Sequence, residues 1–221
     1  MGKLIVLEGI DGSGKSTQFQ MLCSRLEKSG AEFRRLVFPQ YSEPSSALIK
    51  MYLGGEFGTS PEDVNAYAAS AFFAVDRFAS YKKVWKKYYD AGGVLLSDRY
   101  TTSNAVHQAS KLGEAERAAF FDWLYEFEFT LMGMPEPDAV IYMDVPLETA
   151  LEQMRRREAE TNTAGDIHET DSAYLKKCRE CAVQAAEHYG WKRIGCTEGG
   201  VMRRAEDISE EIFDYVTREV L

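Results

Sequence analysis

Apolar positions along the chain follow two alternating rhythms. The short apolar run Leu4–Leu7 predicts a strand, and Phe33–Phe38, Val94–Leu96, Ala139–Met143 and Trp191–Ile194 predict four more. Between them the spacing changes to three and four. Phe19, Leu22, Cys23 and Leu26 fall on one helical face, and Gly30 closes that helix. Similar faces predict helices over Ser45–Leu53, Ser60–Asp90, Glu114–Phe129, Leu147–Glu160, Ser172–Tyr189 and Ala205–Val220. Ser60-Pro61-Glu62-Asp63 is a strong helix start, with a cap, a proline in the first turn and acids at the positive end of the dipole. Strands alternating with helices imply a parallel sheet covered on both faces. The one irregular polar stretch, Thr161–Asp171, suits a mobile lid.

Composition narrows the class. At 221 residues the chain has room for one domain, residues 1–221, with a real core. No apolar run approaches the ~20 residues of a bilayer span. The opening Met1-Gly2-Lys3 does not read as a signal peptide. A net charge of −9 argues against nucleic acid as a partner, although a few arginines in a cleft can still hold a small anion. Cys23, Cys178, Cys181 and Cys196 include only one C-x-x-C pair, so they read as small core hydrophobes in a reducing, cytoplasmic compartment.

The first strand runs into Gly9-Ile10-Asp11-Gly12-Ser13-Gly14-Lys15-Ser16, which fits G-x-x-x-x-G-K-[ST] in full. The glycines let backbone N–H groups turn inward around phosphate oxygens, and Lys15 adds a point charge. The Ser16 hydroxyl can ligate Mg²⁺, and the following helix points its positive end at the same anions. The match follows a predicted strand and opens a predicted helix, as the mechanism requires. It identifies an ATP-using, Mg²⁺-dependent protein with the three-layer α/β fold of P-loop NTPases, a five-stranded parallel sheet flanked by helices on both faces. The metal-side carboxylate should end a neighbouring strand. Asp98 and Asp144 both qualify; Asp98 precedes Arg99, whereas Asp144 precedes Val145-Pro146 and a new helix, as a plain cap would. The chain has no N-K-x-D guanine reader and no L-S-G-G-Q signature, which leaves small-molecule kinases.

Further motifs make the reading specific. Leu7-Glu8-Gly9 and Asp11 through Thr17, Phe38-Pro39-Gln40-Tyr41, Phe73-Ala74-Val75-Asp76-Arg77, Asp98-Arg99-Tyr100 with Ser103-Asn104, and Asp166-Ile167-His168-Glu169 occur in the order of one family. In these motifs the chain resembles the thymidylate kinases along essentially its whole length. The resemblance implies phosphoryl transfer from ATP to thymidine 5′-monophosphate (dTMP), in a homodimer. It implies that Gly9, Asp11, Gly12, Ser13, Gly14, Lys15, Ser16 and Thr17 cradle ATP, with Ser16 and Asp98 on the metal. Phe73 would stack on thymine, Arg77 would bond the base edge and Asn104 would face the base. Arg99 would hold the acceptor phosphate, while Asp11 and Tyr41 would line the acceptor pocket. The loop lacks an arginine at Gly12 and Ser13, so the lid segment, about 155–171, would supply the catalytic cation from Arg155-Arg156-Arg157, with Arg155 and Arg157 the candidates. Gln40 stands where many relatives carry a basic residue. His107 replaces a common tyrosine that excludes a ribose 2′-hydroxyl, and Ile167 replaces a lid arginine. These departures leave two alternatives: a kinase of another pyrimidine nucleotide or nucleoside, or a nucleotide binder without transfer activity.

Overall fold

A computed structural model describes residues 2–161 and 172–221. The five predicted strands form one parallel sheet. Its strands are β1 (Lys3–Glu8), β2 (Phe33–Val37), β3 (Val94–Asp98), β4 (Ala139–Asp144) and β5 (Lys192–Gly195), in the order β2-β3-β1-β4-β5. Leu4 to Leu7 are fully buried, as expected of a central strand covered on both faces. Register sets what meets at the carboxyl edge. Leu7 pairs with Asp98 and with Ile141, so the ends of β1, β3 and β4 lie side by side.

The helices are α1 (Lys15–Lys28), α2 (Ala47–Leu53), α3 (Ala66–Ser80), α4 (Lys86–Asp90), α5 (Thr102–His107), α6 (Glu114–Tyr125), α7 (Leu147–Thr161), α8 (Ser172–Tyr189) and α9 (Ala205–Tyr215). α1 packs on α9, where Gln18 Nε2 donates to Ala205 O and Arg25 lies over the Phe213 ring. α5, α6 and α8 pack together in the second helical layer. Right-handed crossovers explain the division: β1 connects towards β2, whereas β3 and β4 connect the other way. Connections leaving to opposite faces open a crevice at the carboxyl edge beside β1.

The sequence differs from the structure in particular places. The expected helix over Ser60–Asp90 is three pieces. A capping box at Ser60 opens only a 3₁₀ turn, Pro61–Asp63; Val64 is extended; and Asn65 recaps the chain through Ala68 N. A π turn at Tyr81–Trp85 then separates α3 from α4. The predicted helix Glu114–Phe129 ends its α-helical part at Tyr125 and continues as a π turn, Glu126–Leu131. Helix α5 and a small hairpin, β6 (Thr197–Glu198) with β7 (Val201–Met202), were not expected. All four cysteines are buried free thiols. Among the described residues no helix is long and apolar enough to cross a membrane.

Candidate active site

The turn from β1 into α1 needs glycine for space at Gly12 and for a left-handed backbone at Gly12 and Gly14. Gly12 has φ +78°, and a Cβ there would stand 2.2 Å from the carbonyl oxygen of Ala150 in α7. A Cβ on Gly9 would stand 2.5 Å from Ser13 Oγ. Gly14 is the N-cap of α1 in the left-handed conformation, with no side chain capping the helix. The first-turn N–H groups are therefore left for a ligand. Ser13 Oγ is buried and has no hydrogen-bond partner among the described residues. Unmet donors beside a helix N-terminus fit a polyphosphate. Ser16 and Thr17 are exposed on the first turn of α1.

Lys15 folds over this loop, with Nζ 2.6 Å from Asp98 Oδ1. Burial, and then the charge of Arg99, push the Lys15 ammonium below its ordinary pKa, against the pull of Asp98. Asp144, the other strand-end candidate, lies 3.1 Å from Arg179 Nη2 and 2.7 Å from Arg193 Nη2. Its carboxylate ties α8 and β5 to β4.

Arg99 is the one described non-glycine residue with positive φ, at 67°. Its guanidinium reaches the phosphate loop. Nη2 lies 2.6 Å from Asp11 Oδ1, while Nη1 lies 3.0 Å from His107 Nε2 and 3.8 Å from Glu8 Oε1. Burial works against the Arg99 charge, but Asp11, Glu8 and Asp98 together hold its pKa above the ordinary value. A guanidinium only donates, so His107 Nε2 is the acceptor in this contact. His107 Nδ1 faces Tyr174 Oη at 3.5 Å. Glu8 is itself fully buried and accepts from Gly9 N, Thr102 Oγ1 and Ser103 Oγ at 2.9, 2.8 and 2.7 Å.

Beside this cluster opens a pocket with one apolar and one polar wall. Phe38, Leu53 and Phe73 give it an apolar wall, with Tyr41 half-exposed at the rim. Arg77, Arg99, Asn104 and His107 give it a polar one. Phe73 stands edge-on to Tyr52, with ring centroids 6.4 Å apart. Asp76 explains the paired D-R of the motif. It is buried, and it accepts from Gln40 N at 2.7 Å and Ser45 Oγ at 2.6 Å, holding the segment after β2 against α3. Its neighbour Arg77 is buried as well, in a bidentate pair with Glu128.

The fold thus brings Asp11, Tyr41, Phe73, Arg77, Arg99, Asn104 and His107 to one pocket, next to Lys15 and Asp98. It does not bring Arg155 there: that residue is exposed on α7 and does not line the pocket. The Arg157 side chain and the motif Asp166-Ile167-His168-Glu169 lie outside the described residues. Sequence reasoning missed Glu8, Gln108, Glu128 and Tyr174. The spacing of Asn104, His107 and Gln108, three and four apart, is the helical signal that could have found α5 and with it Gln108.

A phosphate loop, a strand-end aspartate on its lysine and an arginine bridging to a pocket with an aromatic wall define a P-loop kinase of nucleotides. The thymidylate kinase family model matches residues 7–202. The chain is 31% identical over 192 residues to thymidylate kinase from Mycobacterium tuberculosis, spanning 85% of this chain and 87% of that one. It is 28% identical over 223 residues to a probable thymidylate kinase from Thermococcus gammatolerans, spanning 100% and 99%. Thymidylate kinase from Candida albicans shares the fold, with a TM-score of 0.72 at 20% identity, over 98% of this chain and 91% of that one. The chain belongs to the thymidylate kinase family. It is a nucleoside monophosphate kinase that transfers a phosphoryl group from ATP to dTMP.

Proposed function

We propose that dTMP occupies the pocket between Phe73 and Arg99, and that ATP places its phosphates on the loop from Gly9 to Thr17. The observation that carries this reading is the Arg99–Asp11 contact of 2.6 Å, which puts the acceptor side of the pocket against the phosphate loop. Phe73 supplies an aromatic face for the base, Arg77 and Asn104 face its edge, and Tyr41 and His107 flank the sugar and phosphate. Arg99 forks onto the acceptor phosphate.

The acceptor oxygen belongs to a phosphate with a second pKa of ~6, so it is ionised near neutral pH and needs no general base. Charge crowding between two polyanions is the barrier. Lys15 and Arg99 lower it from opposite sides of the transferring group. Mg²⁺, held by Ser16 and Asp98, would add charge neutralisation of the phosphate oxygens. A hydroxyl and a carboxylate are the hard oxygen ligands that Mg²⁺ would take beside phosphates and water. A cation from the lid segment, about 155–171, completes the reading, with Arg155 or Arg157 entering on closure. The whole chain acts as one domain, works as a homodimer and resides in the cytoplasm.

An ADP-release assay with Mg·ATP and dTMP, dUMP, UMP, dCMP, CMP, AMP and GMP tests the seating. Phe73→Ala should raise the KM for dTMP by about tenfold or more, with ATP affinity little changed. An unchanged dTMP KM overturns the placement of the base.

A further inference from the structure

Beneath the pocket lies a carboxylate that belongs to none of the sequence motifs. Glu128 is fully buried on the π turn that follows α6. Its Oε2 accepts from Arg77 Nε at 2.8 Å and from Thr101 Oγ1 at 2.7 Å. Its Oε1 accepts from Arg77 Nη2 and, at 3.4 Å, from Asn104 Nδ2. Four donors from two separate segments, α3 and the start of α5, thus converge on one side chain. A buried carboxylate with this many partners is fully satisfied and locks the groups around it.

The geometry decides which atoms remain for a ligand. Asn104 Nδ2 also donates to Ser70 O at 3.2 Å. Both neighbours of that nitrogen are pure acceptors, so turning the amide over would set its oxygen against two oxygens. Oδ1 is therefore the Asn104 atom left over, on a residue that lines the pocket. Arg77 lines the same pocket with Nε–H and one Nη2 hydrogen committed to Glu128, which leaves the two Nη1 hydrogens and the second Nη2 hydrogen as donors. One donor and one acceptor match a pyrimidine edge with an oxygen at position 4 and an N–H at position 3. A 4-amino edge presents the reverse order, a donor at position 4 and an acceptor at position 3.

We propose that Glu128 is a positioning residue that sets the base preference of this enzyme: by fixing where the Arg77 donors stand and holding Asn104 with its oxygen as acceptor, it selects a 4-oxo pyrimidine and rejects a 4-amino one. The inference rests on the base lying in this pocket, as proposed above. Glu128 touches no substrate. It acts by denying Arg77 and Asn104 the alternative orientations that a cytosine edge would need, so that a wrong base leaves buried polar groups unpaired.

The test is steady-state kinetics with dTMP and dCMP on the full chain, for the unaltered protein and for Glu128→Gln, Thr101→Val and Phe73→Ala. A glutamine amide offers both a donor and an acceptor, so Asn104 is no longer held one way. Glu128→Gln should raise the KM for dTMP about tenfold, change kcat less, and lower the dTMP-to-dCMP ratio of kcat/KM by about tenfold. An equal loss on both acceptors, with the ratio kept, assigns Glu128 a structural role only and overturns the proposal. Thr101→Val removes one anchor of Glu128 and keeps the ion pair, so it reads the same ratio should Glu128→Gln fail to fold. A fall of about threefold supports the proposal, and an unchanged ratio overturns it. Phe73→Ala separates the two failures. If it leaves the dTMP KM unchanged, the base lies elsewhere; if it raises that KM while the Glu128 variant keeps the ratio, only the role of Glu128 is lost.

Discussion

Arg99 Nη2 stands 2.6 Å from Asp11 Oδ1, so the residue that follows β3 is joined to the phosphate loop that follows β1. Asp11→Ala should release the guanidinium from the loop and raise the KM for dTMP about tenfold, with the KM for ATP within about threefold. Arg99→Lys should cost more, about 100-fold in kcat/KM. An ammonium cannot span Asp11, His107 and an acceptor phosphate at once. Initial rates with each substrate varied in turn check both. Equal effects on the two KM values would contradict the assignment of Arg99 to the acceptor side.

Lys15 sits in a poor environment for its charge and is held by Asp98 at 2.6 Å. Lys15→Ala should reduce kcat by about a thousandfold or more, because the charge it brings to the transferring phosphates has no substitute in the loop. The far-UV spectrum should be unchanged. Full activity in a folded Lys15→Ala protein would remove the lysine from the mechanism.

Lys111 gives a pH signature independent of turnover. Its Nζ donates to Tyr52 Oη and Val64 O, each at 2.8 Å, and burial lowers its pKa to about 8 from the ordinary 10.5. Below about pH 8 the folded state carries a partly desolvated charge, which costs stability. Between about pH 8 and 10.5 the unfolded chain binds more protons than the folded one, so this contribution rises with pH. The Tm of the unaltered protein relative to Lys111→Met should increase from pH 7.5 to pH 10. A flat difference refutes the effect.

Phe120 is fully buried on α6, edge-on to Tyr67 at 5.2 Å and beside Trp123 at 5.5 Å. Phe120→Ala should lower the unfolding free energy by about 3–5 kcal/mol, from lost transfer energy and the cavity left behind. Urea melts check this, with the midpoint falling and the slope kept.

The central strands β1, β3 and β4 were legible in the sequence because each is an apolar run that the sheet buries, Leu4–Leu7 most plainly; the edge strands β2 and β5 mix buried Leu36 and Ile194 with exposed Arg34, Arg35 and Arg193. The loop from Gly9 to Ser16 was legible because its backbone demands particular residues at particular places, as Gly12 against Ala150 demonstrates. Helix boundaries were less so. Ser60 has every mark of a helix start and caps one 3₁₀ turn, because Asn65 five residues later offers a second cap. Glu8 and Glu128 were invisible as site residues: a buried carboxylate is recognised by its partners, and theirs come from distant segments. Thr102 and Ser103 meet Glu8, while Arg77 and Thr101 meet Glu128. Asp144 stayed ambiguous in the sequence because Arg179 and Arg193, which claim it, lie 35 and 49 residues away.

The left-handed backbone of Arg99 has a consequence for protein engineering. A side chain larger than glycine in that conformation costs on the order of 1 kcal/mol or more. Selection for heat tolerance alone would therefore favour glycine at position 99 and, in relaxing the turn, discard the guanidinium that reaches Asp11. Libraries built to harden this enzyme should hold position 99 fixed and look for gains in the helical layers instead.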